Sequence, residues 1–238
     1  MRQRLADYRV FWRQFRQAYN STGAVLPSGR GLAVALSRFV RNRDVADAAG
    51  KNGGAPRSND GANSRRILEV GPGTGAVTVQ IIHDMRSQDR LVLVERNEQF
   101  VAHLTQRLAE IPAAQTLRDR ISLVHAAVED LPDDEPFDLI ISGLPLNNFA
   151  VESVEQILAK LGRLLSPGGT LSFFEYVAVR RAKSLVCSRT DRERLQGIAR
   201  VLGDFLQAEV QRDLVMANVP PAWVHHVRSS QSLSKAVP

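Results

Sequence analysis

From residue 66 onward, apolar positions along the chain follow two alternating patterns. Short apolar runs at 66–70, 91–95, 121–125, 137–142 and 170–177 read as strands. Between and after them, apolar residues spaced three and four apart predict helices over 75–85, 97–109, 151–165 and 190–207. Strands alternating with helices predict an α/β architecture with a doubly wound, mostly parallel sheet. The end of the chain breaks the alternation. "DLVMANVPPAWVHHVR" reads as two strands joined by a tight Pro-Pro connection, and so short a link requires them to be antiparallel. The expected total is seven strands, the last two forming a C-terminal hairpin.

Upstream of residue 66 the pattern is purely helical. At 100° per residue, Leu5, Tyr8, Phe11, Trp12, Phe15 and Tyr19 fall within an arc of about 120°, which predicts an amphipathic helix over 4–19. Arg2, Arg9, Arg13 and Arg16 line one flank of that stripe. "TGAVLPSG" ends the period. Ser28 is then expected to cap a second helix, with Leu32, Leu36, Phe39 and Val40 facing inward. Residues 44–64 are polar and rich in Gly, Ala and Asn, and read as a flexible connector. The domain plan is a helical arm over 1–43, the connector over 44–64, the sheet domain over 65–230 and a tail over 231–238.

Charge sharpens this picture. The 238-residue chain carries a net charge of +6, but residues 1–43 hold nine arginines against one acid, Asp7, leaving a net of −2 on the remainder. A globally basic protein would point to nucleic acid; a basic arm on a near-neutral body points to a localised anionic partner. Five of the fourteen aromatics lie between Tyr8 and Tyr19, interleaved with arginine. The arm is therefore expected to lie in the interface of an anionic bilayer through Arg9, Phe11, Trp12, Arg13, Phe15 and Arg16, each arginine contributing on the order of 1 kcal/mol. The competing expectation is a helix packed on the body. No run approaches the roughly 20 apolar residues of a membrane span. Arginines throughout the first residues argue against a secretory signal. The single cysteine, Cys187, fits a reducing compartment, so the expected location is cytoplasmic and peripheral to the membrane.

The chemistry concentrates at strand ends. "ILEVGPGTGAVT" puts Glu69, Gly71, Gly73 and Gly75 at a strand-to-helix turn, where glycines admit a close ligand and a helix amino end follows. About twenty residues later the second strand ends in Glu95, placed to accept hydrogen bonds from a ribose diol. Glu95 alone does not separate NAD from S-adenosylmethionine. The loop does: it reads G-x-G-x-G with Ala76 in the dinucleotide pattern's third glycine position, and Glu69 would repel a pyrophosphate while suiting an ammonium and a sulfonium. His225 and His226, as strand neighbours, point to opposite faces and cannot chelate one metal, and no metal site is expected.

E-x-G-x-G-x-G, a later Glu and a final antiparallel hairpin resemble the class I S-adenosylmethionine-dependent methyltransferases, whose fold is Rossmann-like. The resemblance implies S-adenosyl-L-methionine as cofactor, held by Glu69, Gly71, Gly73, Gly75, Glu95 and Ser142. The family's adenine-side acid falls here on Ala127, with Glu129 displaced along the chain as its nearest match. "SGLPLNNF", with "AVLPSGRGLA" upstream and "NVPPAWVHHVR" at the end, resembles bacterial phospholipid N-methyltransferases, relatives of the ribosomal RNA adenine dimethyltransferases. Adenine-directed members carry Asn or Asp, then Pro, then a base-stacking aromatic. Gly143-Leu144-Pro145-Leu146 has neither the amide nor the ring, which suits an aliphatic amine.

The resemblance thus implies methylation of phosphatidylethanolamine, with Leu144, Pro145 and Asn147 beside the reacting amine. Tyr19 is a further candidate for orienting that amine. The alternative for Asn147 and Asn148 is capping of the helix that follows. The rival functions are an RNA adenine methyltransferase and a lipid-surface module that binds the donor without turnover. No nucleic-acid or protein partner is otherwise implied.

Overall fold

The computed structural model describes residues 29–41, 64–177, 189–218 and 221–229. Seven strands form one sheet in the order β3-β2-β1-β4-β5-β7-β6: β1 Arg66–Val70, β2 Arg90–Glu95, β3 Ile121–His125, β4 Phe137–Ser142, β5 Leu165–Tyr176, β6 Glu209–Val215 and β7 Ala222–Arg228. β1 through β5 pair in parallel, and β7 runs antiparallel to both β5 and β6. This is the doubly wound architecture with a closing hairpin that the sequence predicts.

The helices are α1 Arg30–Leu36, α2 Arg38–Arg41, α3 Ala76–Asp84, α4 Glu98–Glu110, α5 Pro112–Thr116, α6 Val151–Leu164 and α7 Arg189–Leu206. Strand alternation sorts the core into two layers. Ile67, Leu91, Leu93, Leu139 and Ile141 face α1, α2 and α3, whereas Leu68, Val70, Val94 and Ile140 face α6 and α7. Among the described residues, no helix is long and apolar enough to cross a membrane.

Three local differences from the sequence reading have physical causes. The inward set Leu32, Leu36, Phe39 and Val40 is buried, but the helix breaks at Ser37 into α1 and α2, and its N-cap is Gly29, which makes no side-chain capping bond. β5 starts at Leu165 rather than 170. "LSPGG" reads as loop, yet Leu165 pairs with Phe137, and a register shift with Gly168 at φ 78° absorbs the irregularity. β6 starts at Glu209, because polar residues alternate along an edge strand whose one face is solvated.

Charged residues fasten the amino-terminal helices to the sheet. Arg65 and Asp89 are both buried. The Arg65 guanidinium donates to Asp89 Oδ2 from Nε at 3.1 Å and Nη2 at 2.6 Å, and to the Phe39 and Val40 carbonyls at the end of α2. Arg38 grips Asp213 of β6 through two bonds of 2.7 and 3.0 Å.

The arm over 1–28, the connector over 44–63 and Cys187 lie outside the described residues. So do Tyr19, Arg9, Phe11, Trp12, Arg13, Phe15 and Arg16, and Ser28 with them.

Candidate functional site

In an open parallel sheet, ligands bind beyond the carboxyl ends of the strands where the winding reverses. Here β1 lies between β2 and β4, so the reversal falls between β1 and β4. Glu69, the glycine loop, Glu95 and the Ser142-to-Asn147 turn all stand at that rim.

The loop turns because three glycines adopt left-handed backbone: Gly71 at φ 68°, Gly73 at 56° and Gly75 at 79°. Their surroundings differ. A Cβ at Gly71 would stand 2.6 Å from Leu144 Cδ2, and one at Gly75 would stand 2.6 Å from Leu104 Cδ1, so both are packed. A Cβ at Gly73 would meet nothing within 4 Å. The position a Gly73 side chain would take is therefore open, although the residue itself is buried. Arg107 of α4 donates to the Thr74 carbonyl at 2.8 Å and steadies the loop from behind.

Glu95 folds over this loop. Its Oε2 accepts from Gly73 N at 3.1 Å and its Oε1 from Asn97 N at 2.8 Å. Backbone amides thus hold the carboxylate in place, and its remaining acceptor capacity suits a diol. Burial pushes its carboxyl above the ordinary range, against the pull of the Asn97 and Gly73 amides.

Glu69 is more exceptional. It is 1% exposed, on the face toward α3, and neither carboxylate oxygen makes a hydrogen bond. Burial pushes its carboxyl up to about 8; the Thr78 hydroxyl, near but not in bonding geometry, opposes this, and the charge of Glu95 adds to it. The Thr78 hydroxyl is itself buried without a partner. An unpartnered buried carboxylate is costly unless a ligand completes it. A cation with N–H donors fits; a pyrophosphate does not.

The turn after β4 presses on the glycine loop. Gly143 N donates to the Val70 carbonyl at 2.8 Å, and a Cβ at Gly143 would stand 2.6 Å from the Gly71 carbonyl oxygen, so only glycine lets the two loops touch. The buried Ser142 hydroxyl accepts from Leu144 N at 3.4 Å and shapes the turn. Leu144, Leu146 and Asn147 are buried, Pro145 is half-buried and Asn148 is exposed.

Neither asparagine caps the next helix. Residues Leu146–Asn148 form a short 3-10 turn, and the N-cap of α6 is Ala150, with no side-chain bond. The capping alternative is thereby corrected. Arg194 of α7, which the sequence does not single out, clamps the turn by donating to the carbonyls of Asn147 at 2.8 Å and Phe149 at 3.0 Å.

Glu129 sits in a 3-10 turn, Val128–Asp130, after β3, with Oε2 buried and unpartnered. The β3 end lies beside Glu95, since Ala126 N donates to the Glu95 carbonyl. His225 and His226 do point apart. His225 Nδ1 is 2.6 Å from Glu209 Oε1; His226 lies 2.8 Å from Ser172 Oγ and 3.2 Å from Asp213 Oδ2, and is fully buried. The Ser172–His226–Asp213 string is sealed under α2 and is a structural tie.

A protein-family model described as a methyltransferase domain matches residues 67–169. The chain is 28% identical over 116 residues to an ornithine lipid N-methyltransferase of Singulisphaera acidiphila, covering 46% of this chain and 57% of that protein. It is 30% identical over 111 residues to the ubiquinone/menaquinone biosynthesis C-methyltransferase UbiE of a Marinomonas species, covering 46% of this chain and 42% of that one. The chain thus spans about half the length of these curated relatives.

Among solved structures, the O-methyltransferase TomG of Streptomyces achromogenes, in complex with S-adenosylmethionine, aligns with a TM-score of 0.58 at 17% identity, covering 90% of this chain and 87% of that one. The N-methyltransferase NodS of Bradyrhizobium japonicum, with S-adenosylhomocysteine, aligns at 0.50 and 18% identity, covering 70% and 79%. The fold is the Rossmann-like one of these methyltransferase structures.

Proposed function

We propose that this chain transfers the methyl of S-adenosylmethionine to the primary amine of a membrane lipid, with phosphatidylethanolamine as the substrate. The observation that carries the reading is the contact of the Gly143-Leu144-Pro145 turn with the Gly71 loop. It sets Leu144, from a Gly-Leu-Pro-Leu turn that carries no aromatic ring, against the glycine loop. The named activity of the Singulisphaera acidiphila relative, N-methylation of an amine-bearing lipid, supports the same class of acceptor.

When bound, the cofactor supplies an electrophilic methyl on a cationic sulfonium. The protein's part is to bind, align and dry the site. Glu69, with Thr78, receives the donor's ammonium; Glu95 holds the ribose; the space left by the absent Gly73 side chain lets the donor lie close; Glu129 is the acid available to the adenine. Ser142 holds the turn that presents Leu144 and Pro145 to the amine. The turn's carbonyls and Asn147 accept the amine's hydrogens and point its lone pair at the methyl.

An ethanolamine nitrogen resembles lysine, so keeping it neutral at pH 7 costs about 4 kcal/mol. Desolvation among Leu144, Leu146 and Phe149, next to a cationic sulfur, offsets much of that. Tyr19 stays a candidate for orienting the amine. The aromatic, arginine-rich arm holds the enzyme at the anionic cytoplasmic membrane surface where such a lipid resides.

The test is incubation of the purified chain with radiolabelled donor and phosphatidylethanolamine vesicles. Label entering the headgroup is expected; label staying out of the lipid extract while the donor binds would reject the reading. A second reading, carbon methylation of a quinone precursor, is favoured by the Marinomonas relative. It predicts label in a ring and none in the headgroup.

A further inference from the structure

A tethered enzyme still has to turn its opening toward the lipid. β6 is the free edge of the sheet, and along it Gln211, Asp213 and Val215 face α1 and α2 while Val210, Arg212 and Leu214 face outward. Among the described residues, Val210 (48% exposed), Leu214 (45%) and Met216 (67%) are the large hydrophobic side chains left in solvent. Leu214 and Met216 stand two positions apart at the end of the strand, an exposed apolar pair suited to a partner.

Its position says which partner. Val215 pairs with Ala222, and Ala222 pairs with Tyr176, the last residue of β5. The β6–β7 turn therefore stands at the carboxyl rim of the sheet, the rim that carries the glycine loop, Glu95 and the Leu144 turn. The sequence from Met216 to Trp223, "MANVPPAW", has no charged residue. The Arg212 guanidinium lies 4.7 Å above the Trp223 ring, an apolar body with a cationic cap. Gly29, just ahead of α1, meets this same turn, its N–H donating to Asn218 Oδ1 at 3.0 Å. Pairing of β6 edges from two copies centred on Arg212 would instead set like charges opposite each other.

We propose that the β6–β7 hairpin is a second membrane contact: Leu214 and Met216 enter the interface of an anionic bilayer beside the arm and turn the donor-bearing rim toward the lipid. The inference rests on the lipid-amine reading above. An apolar tip beside Arg212 matches an anionic interface, as amphipathic anchors do.

Cosedimentation of the full chain with vesicles of phosphatidylethanolamine and phosphatidylglycerol tests it. Leu214→Asp combined with Met216→Asp is expected to weaken partitioning about tenfold or more. Met216→Asp alone, at an exposed position outside the core, is expected to give a smaller loss. Donor binding by calorimetry and methyl transfer to a short-chain phosphatidylethanolamine dissolved as monomers should stay at the wild-type level, while transfer to vesicle lipid falls with the partitioning. Unchanged partitioning overturns the hairpin contact, as does a variant whose only change is from dimer to monomer. A wild-type protein that methylates neither form of the lipid overturns the lipid-amine reading itself.

Discussion

Glu69 is the residue on which the site's electrostatics turn. A carboxyl raised to about 8 in the folded chain, against 4.5 when free, keeps its proton over a range where the unfolded chain has lost its own. The folded state then binds more protons, so Glu69 lowers ligand-free stability as pH rises from about 4.5 to about 8. Glu69→Gln should remove that loss. In thermal melts without ligand, the variant is expected to gain on the order of a few kcal/mol over wild type at pH 8 and little at pH 4.5. Equal melting at both pH values would show that the burial cost is relieved elsewhere. The glycines make a complementary pair. Gly73→Ala sends its methyl into open space, so strain at φ 56° costs about 1 kcal/mol while donor binding is lost. Gly71→Ala drives a methyl into Leu144 and should destabilise the fold itself, which chemical denaturation will separate.

Between elements, buried charge does the fastening. Asp89→Ala leaves Arg65 buried without its carboxylate and frees the end of α2 from the sheet. A loss of about 3–5 kcal/mol in urea unfolding is expected, and less than 1 kcal/mol would mean that the pair is incidental. None of this was legible in the sequence, and the reason is physical. Strand and helix existence follow from periodicity, so β3, β4 and the start of α6 fall where the apolar pattern puts them. Partners 24 positions apart leave no period. The acids and glycines of the cradle were legible because their spacing is fixed by one strand-to-helix turn. Arg107 and Arg194, which brace that turn and the next from neighbouring helices, look like any solvated arginine. Ser28 and Asn148 show the converse: residue types that favour caps stand next to helices capped by Gly29 and Ala150, since packing of the flanking turns outweighs about 1 kcal/mol of capping.

For the whole molecule, the sheet's carboxyl rim gathers the glycine loop, Glu95, the Leu144 turn and the β6–β7 hairpin on one side. Arg13→Glu with Arg16→Glu should leave donor affinity intact and weaken vesicle binding; unchanged vesicle binding would make the arm a purely structural element. The account depends most on two buried acids holding a cationic methyl donor, and calorimetric titration of S-adenosylmethionine at pH 7 in buffers of different ionisation heat addresses that directly. Because Glu69 holds its proton in the free protein and must lose it to the buffer in order to pair with an ammonium, binding should release up to about one proton per donor, a release absent and an affinity reduced in Glu69→Gln. Binding without proton release, or equally tight binding by Glu69→Gln, would contradict it.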